Sequence, residues 1–211
     1  MNNCPFCGSN RKDFLKENGY YATEMYFYED DDFSISSDLS PLVAGHLLAI
    51  PTKHFSCFGE IEDIAMLTRI RKISCKLLGT DDLLIFEHGA VVEGEVGASV
   101  DHAHMHIMPR PTNMAVEMID KYILQSGCVA SSKVVAPQDV LQIFYADRKS
   151  YIFYELQGLR FAYPVHSLPH QFLRSMMQPY CQLSYNWRKT YSTDECRNNV
   201  QKTVEFVKLN K

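Results

Sequence analysis

The chain has no run of about 18 apolar residues, the length a membrane-crossing helix requires, so no transmembrane segment is expected. Its first residues, Met1-Asn2-Asn3-Cys4-Pro5-Phe6-Cys7, lack a basic region followed by an apolar one, so a secretory leader is not expected either. Glycine and proline are sparse, 10 and 9 in 211 residues, which excludes collagen-like and linker classes. No basic cluster is dense enough to argue for nucleic acid, and no internal repeat is visible. The seven cysteines, at 4, 7, 57, 75, 128, 181 and 196, are odd in number and only the first two are close together. That is no disulfide framework, and it points to reduced thiols and a cytoplasmic location.

What is present is an ordinary globular balance: 46% hydrophobic residues, 22% charged, net charge −4. General disorder is excluded, and one large domain or a domain with an extension is expected. Residues 1–115 carry 9 Lys/Arg against 17 Asp/Glu, and residues 116–211 carry 12 against 8. The basic second half suits an anionic ligand or is ordinary surface charge.

Periodicity outlines the elements. Met25–Glu29 reads as a strand, Asp30 to Asp32 as a solvated turn, and Phe33–Ser36 as the returning strand. Gly45–Ile50 is a short apolar strand ended by Pro51. From Glu60 to Leu78, apolar residues recur every three or four positions, which predicts a long amphipathic helix capped by Gly79. Leu83–Phe86 and His102–Met108 read as strands, and residues 110–120 as the way out of this unit. Beyond it, 137–144 looks helical, and 151–155 with 160–163 form a hairpin around Gln157-Gly158. Residues 169–180 read as a helix with Phe172, Leu173 and Met176 inward. Ser192-Thr193-Asp194-Glu195 has capping-box spacing before a last helix carrying Val200, Val204 and Val207. The fold class expected is α+β, an antiparallel sheet with a long helix packed on it, plus an α/β C-terminal extension. The division expected is 1–112 and 113–211.

The segment that carries chemistry is Asp101-His102-Ala103-His104-Met105-His106-Ile107-Met108-Pro109. On a strand, three histidines at period 2 share one face, while Ala103, Met105 and Ile107 turn to the core. Aligned imidazoles suit either metal chelation or nucleophilic attack on phosphorus. The pattern His-φ-His-φ-His-φ-φ, with φ hydrophobic, resembles the histidine-triad (HIT) family of nucleotide hydrolases and transferases. Asp38-Leu39-Ser40-Pro41, Gly45-His46 and Ile50-Pro51-Thr52-Lys53-His54 resemble the family's upstream blocks.

That resemblance, over roughly residues 1–112, implies a mechanism and a site. His104 attacks the α-phosphorus of a nucleotide, for example a dinucleoside polyphosphate, forming a covalent nucleotidyl-histidine that water or another acceptor releases. His46 and His106 contact the phosphate and support the nucleophile, Asp38 holds the ribose hydroxyls, and Ser99 lies near the phosphate. The sequence departs from the family where many members read Gly-Gln-(Ser/Thr). Here Gly97-Ala98-Ser99 offers no side-chain hydrogen bond at Ala98, and Glu87-His88-Gly89 is a candidate polar replacement. A nucleotide-binding module with little turnover is therefore the second reading, and a triad holding a catalytic metal the third. A homodimer is the family's common assembly, and a small-molecule nucleotide is the partner implied.

Cys4-Pro5-Phe6-Cys7 is a Cys-x2-Cys knuckle, and a closed zinc site needs two further ligands. The zinc-carrying branch of the family implies His54 and His102. Such a zinc is structural, because no position remains for substrate. In the tail, Arg160, His166, His170 and Arg174 are candidates to reach a polyphosphate, with surface or capping roles as the alternative.

Overall fold

A computed structural model describes residues 4–210, apart from 93, 95, 98, 99, 130–132, 136–138 and 182–192. Eight strands form one antiparallel sheet: β1 (Tyr26–Glu29), β2 (Phe33–Ser37), β3 (Leu47–Pro51), β4 (Leu83–Gly89), β5 (Met105–Pro109), β6 (Val134–Val135), β7 (Tyr151–Leu156) and β8 (Leu159–Pro164). Their order is β1-β2-β3-β5-β4-β7-β8-β6. The architecture is α+β, as expected. The hairpin beyond residue 112 joins this same sheet, because β7 pairs along the whole of β4, from Leu84↔Leu156 to Gly89↔Tyr151.

Both faces of the sheet are buried, and alternation sorts them. Ile85, Met105, Ile107 and Phe153 face α3 (Met66–Leu78) and α5 (Val140–Ala146). Leu84, Phe86, Met108, Ile152 and Tyr154 face α4 (Val116–Gln125) and α6 (Phe172–Met177). A third apolar group joins α1 (Gly8–Glu17), the short α2 (Ala22–Met25) and α7 (Asp194–Leu209) through Leu15, Tyr20, Met25, Leu39, Val200 and Val204.

The elements differ from expectation in identifiable ways. The predicted helix over 60–78 begins only at Met66, and Ile64 is 42% exposed rather than inward. Asp63 sets that start: its carboxylate accepts the Ala65 N–H and its carbonyl the Met66 N–H, while Phe58–Glu60 forms a separate 3-10 turn. Met25 closes a helical turn instead of opening β1. Residues 110–120 are not only an exit, because α4 starts within them. The helix expected over 169–180 starts at Phe172, since Gln171 takes a left-handed φ of 56° and its N–H leaves to the Gly97 carbonyl. Thr193, not Ser192, caps α7 by accepting the Cys196 N–H; Ser192 lies outside the described residues. Gly79 does cap α3 with a φ of 63°. No helix among the described residues is long and apolar enough to cross a membrane.

Candidate active site

The triad is not one strand. Only His106 stands in β5; His102 and His104 precede it. The backbone there has other partners: the Ala103 N–H donates to the Phe55 carbonyl at 2.7 Å, and the His102 carbonyl accepts from a side chain. His102 therefore turns away from its neighbours, while His104 and His106 stay together with ring centroids 5.2 Å apart. Ala103, Met105 and Ile107 enter the core as expected.

The hydrogen bonds fix the tautomers. His46 Nδ1 accepts the Leu42 N–H at 3.1 Å, so its proton sits on Nε2 and is donated to His106 Nδ1 at 3.0 Å. Neutral His106 then carries its own proton on Nε2. His104 Nδ1–H donates to the His102 carbonyl at 2.7 Å, which leaves the lone pair of neutral His104 on Nε2. His104 alone of the three triad rings is only partly buried. Phe86 stacks on His106 at 4.6 Å with an 11° tilt, and Phe6 meets His104 edge-on at 5.4 Å.

Burial keeps these rings uncharged. It lowers His104 and, more strongly, His106, and brings His46 down to about 3. The Asp38 carboxylate opposes this from 3.9 Å of His46 Nε2 and 3.6 Å of His106 Nδ1. Asp38 itself is 3% exposed. Burial pushes its carboxyl up, but Arg174, His46 and the Ser40 N–H together hold it below the ordinary aspartate range. Ser40 N–H donates to Oδ1 and Arg174 to Oδ2, both at 2.6 Å.

Asp38, His46 and His106 bring three ligand-type atoms within 4.8 Å of one another. A guanidinium already sits on the carboxylate, and the two imidazoles share a hydrogen bond, so the trio is built as a relay more than as a cation site. The other cluster is different. Cys4, Cys7, His54 and His102 place their ligand atoms within 4.8 Å, with His102 Nδ1 at 3.5 Å from both sulfurs and His54 Nδ1 at 3.2 Å from Cys7 Sγ. Tetrahedral zinc with ordinary bond lengths sets sulfur and nitrogen about 3.6 Å apart. His102 Nε2–H donates to the Pro51 carbonyl, the outer contact that orients a ligating imidazole. The donor set can hold a metal.

The other candidates separate clearly. Glu87 faces away from the triad, accepting the Phe58 N–H and the Tyr151 hydroxyl, each at 2.8 Å. His88 is on the triad's side, accepting the Leu173 N–H on Nε2 at 3.1 Å. Ala98 and Ser99 lie outside the described residues. Arg160 pairs with Glu155, His166 and His170 are exposed, and Arg174 alone is buried in the site. The sequence held no signal for Arg174 beyond its charge, because its partner is 136 residues away.

A partly open imidazole, backed by a hydrogen-bonded imidazole pair on an antiparallel sheet, defines a histidine-triad site. Residues 21–113 match the HIT domain family model, so that segment is similar to HIT domains. An uncharacterized HIT-like protein of Methanocaldococcus jannaschii is 33% identical over 88 residues, 39% of this chain and 66% of the relative. Another, from Saccharolobus solfataricus, is 33% identical over 100 residues, 44% of this chain and 66% of the relative. The chain thus spans 66% of the length of these two relatives. Among solved structures, a HIT family hydrolase from Clostridium thermocellum gives a TM-score of 0.40 at 20% identity, covering 55% of this chain and 96% of that one. Yeast Ap4A phosphorylase gives 0.46 at 16% identity, covering 71% of this chain and 62% of that one.

Proposed function

We propose that this protein is a nucleotide hydrolase or nucleotidyltransferase that works through a covalent nucleotidyl-histidine. The observation that carries this reading is the tautomer of His104: Nδ1 is bonded to the chain's own carbonyl, and the nucleophilic lone pair on Nε2 belongs to the least buried of the three triad residues. In this reading Nε2 attacks the α-phosphorus, a nitrogen–phosphorus bond forms, and the bond to the leaving group breaks with its electron pair. Water or another acceptor then attacks the same phosphorus, and His104 leaves as a neutral ring. His106 Nε2–H supplies a hydrogen bond to charge building on the phosphoryl oxygens, and His46 holds His106 in that tautomer. Asp38 is set behind the pair, so its part here is to orient them; a ribose contact has to share the carboxylate with Arg174.

Cys4, Cys7, His54 and His102 would hold zinc as a closed structural ligand set, tying the N-terminal knuckle to the turn after Pro51 and to the triad segment. Rapid quench with ATP and Ap4A labelled at the α-phosphorus tests the enzymatic reading. Acid-labile label on the wild type and none on His104→Ala is expected, with about one zinc per chain in both. Ala98, which has no polar side chain to offer a leaving group, favours the second reading of a nucleotide-binding module. That reading wins if AMP binds and no label forms.

A further inference from the structure

The loop that carries Asp38 and His46 makes four hydrogen bonds with the C-terminal half of the chain. Arg174 Nη1–H donates to Asp38 Oδ2 at 2.6 Å and Nη2–H to the Ser40 carbonyl at 2.5 Å. Cys196 Sγ–H donates to the Leu39 carbonyl at 2.8 Å, and Thr203 accepts the Gly45 N–H at 3.3 Å. The approach to the triad is held from the same side: Gln171 N–H reaches the Gly97 carbonyl at 2.9 Å, and Leu173 N–H reaches His88. Gly97 permits this, because a Cβ there would lie 2.5 Å from the Pro169 carbonyl oxygen. Three of these residues, Gln171, Leu173 and Arg174, lie within four positions, and the last two end on His88 and on the Asp38 carboxylate.

We propose that Arg174 is a positioning residue of this site: brought in by the extension, it clamps the Asp38 carboxylate to the Ser40 carbonyl and so fixes the Asp38–His46–His106 network behind His104. The clamp has a geometric and an electrostatic part. A guanidinium holds two acceptors at a fixed spacing, which a point charge does not. It also occupies Asp38 Oδ2, the oxygen nearest both imidazoles. Without it, a bare buried carboxylate faces His46 and His106, and the cheapest relief is to move a proton onto that pair. A proton on His106 Nδ1 leaves it unable to accept the His46 Nε2–H, so His106 keeps its Nε2–H but loses the hydrogen bond that orients the ring. The other charged or titratable groups around the pair are His104, His88 on β4, Arg11 on α1 and Cys196 on α7; none of these is hydrogen-bonded to the Asp38 carboxylate as Arg174 is. Cationic Arg11 is itself buried against Ser36 and Phe6.

The inference rests on the nucleotidyl-transfer reading for its kinetic arm only. In full-length, zinc-loaded protein, Arg174→Gln is expected to slow labelling by α-labelled Ap4A about 100-fold with KM little changed, the signature of misplacement, not lost binding. Arg174→Lys, which restores charge without the fork, is expected to recover part of the rate. The second arm is nitrogen NMR of the imidazoles. His46 and His106 are expected to stay neutral at pH 7 in the wild type and to take up a proton in Arg174→Gln. If Arg174→Gln labels at the wild-type rate, or if it loses activity while both imidazoles remain as in the wild type, the proposal is overturned. If the wild type forms no label at all, the function reading fails and the imidazole arm alone decides this one.

Discussion

Histidines packed into a closed face have to fold without their charge, and that ties stability to pH. His46 and His88 are both lowered to about 3, chiefly by burial, whereas an unfolded chain protonates them near 6.5. Between those values the unfolded state binds protons that the native state refuses, so stability falls as pH drops, by up to about 1.4 kcal/mol per pH unit for each ring. Glu87 acts in the opposite sense. Burial pushes its carboxyl up to about 7 from 4.5, so the native state holds a proton that the unfolded chain releases. Its contribution is complete below 4.5 and is lost as pH rises through 7. The urea midpoint is therefore expected to fall gently from pH 6.5 to 4.5 and steeply below it, with Asp38 adding to the acid limb. Glu87→Gln is expected to make the upper segment as steep as the lower. A midpoint flat from pH 6.5 to 3 would show that these rings are not buried neutral.

At the scale of elements, the N-terminal knuckle and α1 form one lever on His104. Phe6 lies between the two cysteines and against His104, Arg11 stacks over Phe6 at 4.8 Å, and Leu15 anchors the helix in the third apolar group. If Cys4, Cys7, His54 and His102 hold a metal, a chelator, like Cys7→Ser, is expected to free Phe6 and speed amide exchange through α1 while β3 and β4 keep their protection. Equal exchange in α1 with and without chelator counts against a metal-held knuckle. The hairpin offers a stabilising change. Gln157 and Gly158 both have positive φ, 54° and 75°, the signature of a tight two-residue turn. Gln157→Asn is expected to raise stability by up to about 1 kcal/mol in a thermal melt, because Asn tolerates the left-handed conformation that costs Gln. This hairpin was legible from Gln157-Gly158 between two aromatic-rich runs, β2 from the alternation of Phe33 and Ile35, and α7 from Val200, Val204 and Val207 at helical spacing. α1 was not: its apolar residues are only the adjacent Phe14 and Leu15, and Arg11, one turn before Leu15, is buried by a stacking partner and a serine, so no periodic apolar stripe marks the helix. The triad misled for a related reason. Period 2 is necessary for a strand, but a ladder also needs free backbone groups, and those of His102 and Ala103 are spent elsewhere.

For the whole molecule, the placing of β4 is decisive. It lies between β5, which carries His106, and β7, which belongs to the second half of the chain, and it is hydrogen-bonded to both. Its sequence shows only a buried strand; that it takes β7 as its second neighbour depends on residues more than 60 positions away, and no local pattern encodes that. Separations of 34 and 43 residues hid the Asp120 junction, where Tyr154 and Tyr163 from two strands donate to one carboxylate of α4. We expect the sheet to unfold as a unit, because opening β7 would strip one edge of β4 and uncover Phe86, Tyr154 and the face under α6 together. Native-state hydrogen exchange checks this. Amides in β3, β4, β7 and β8 should converge on one opening free energy as urea rises, and Tyr154→Phe, which removes a buried hydroxyl partner from Asp120, should lower all four strands by the same amount. If β7 and β8 open at lower urea while β3 and β4 stay protected, residues 113–211 form a separate cooperative unit, and the loop holding Asp38 and His46 must then keep its shape without them.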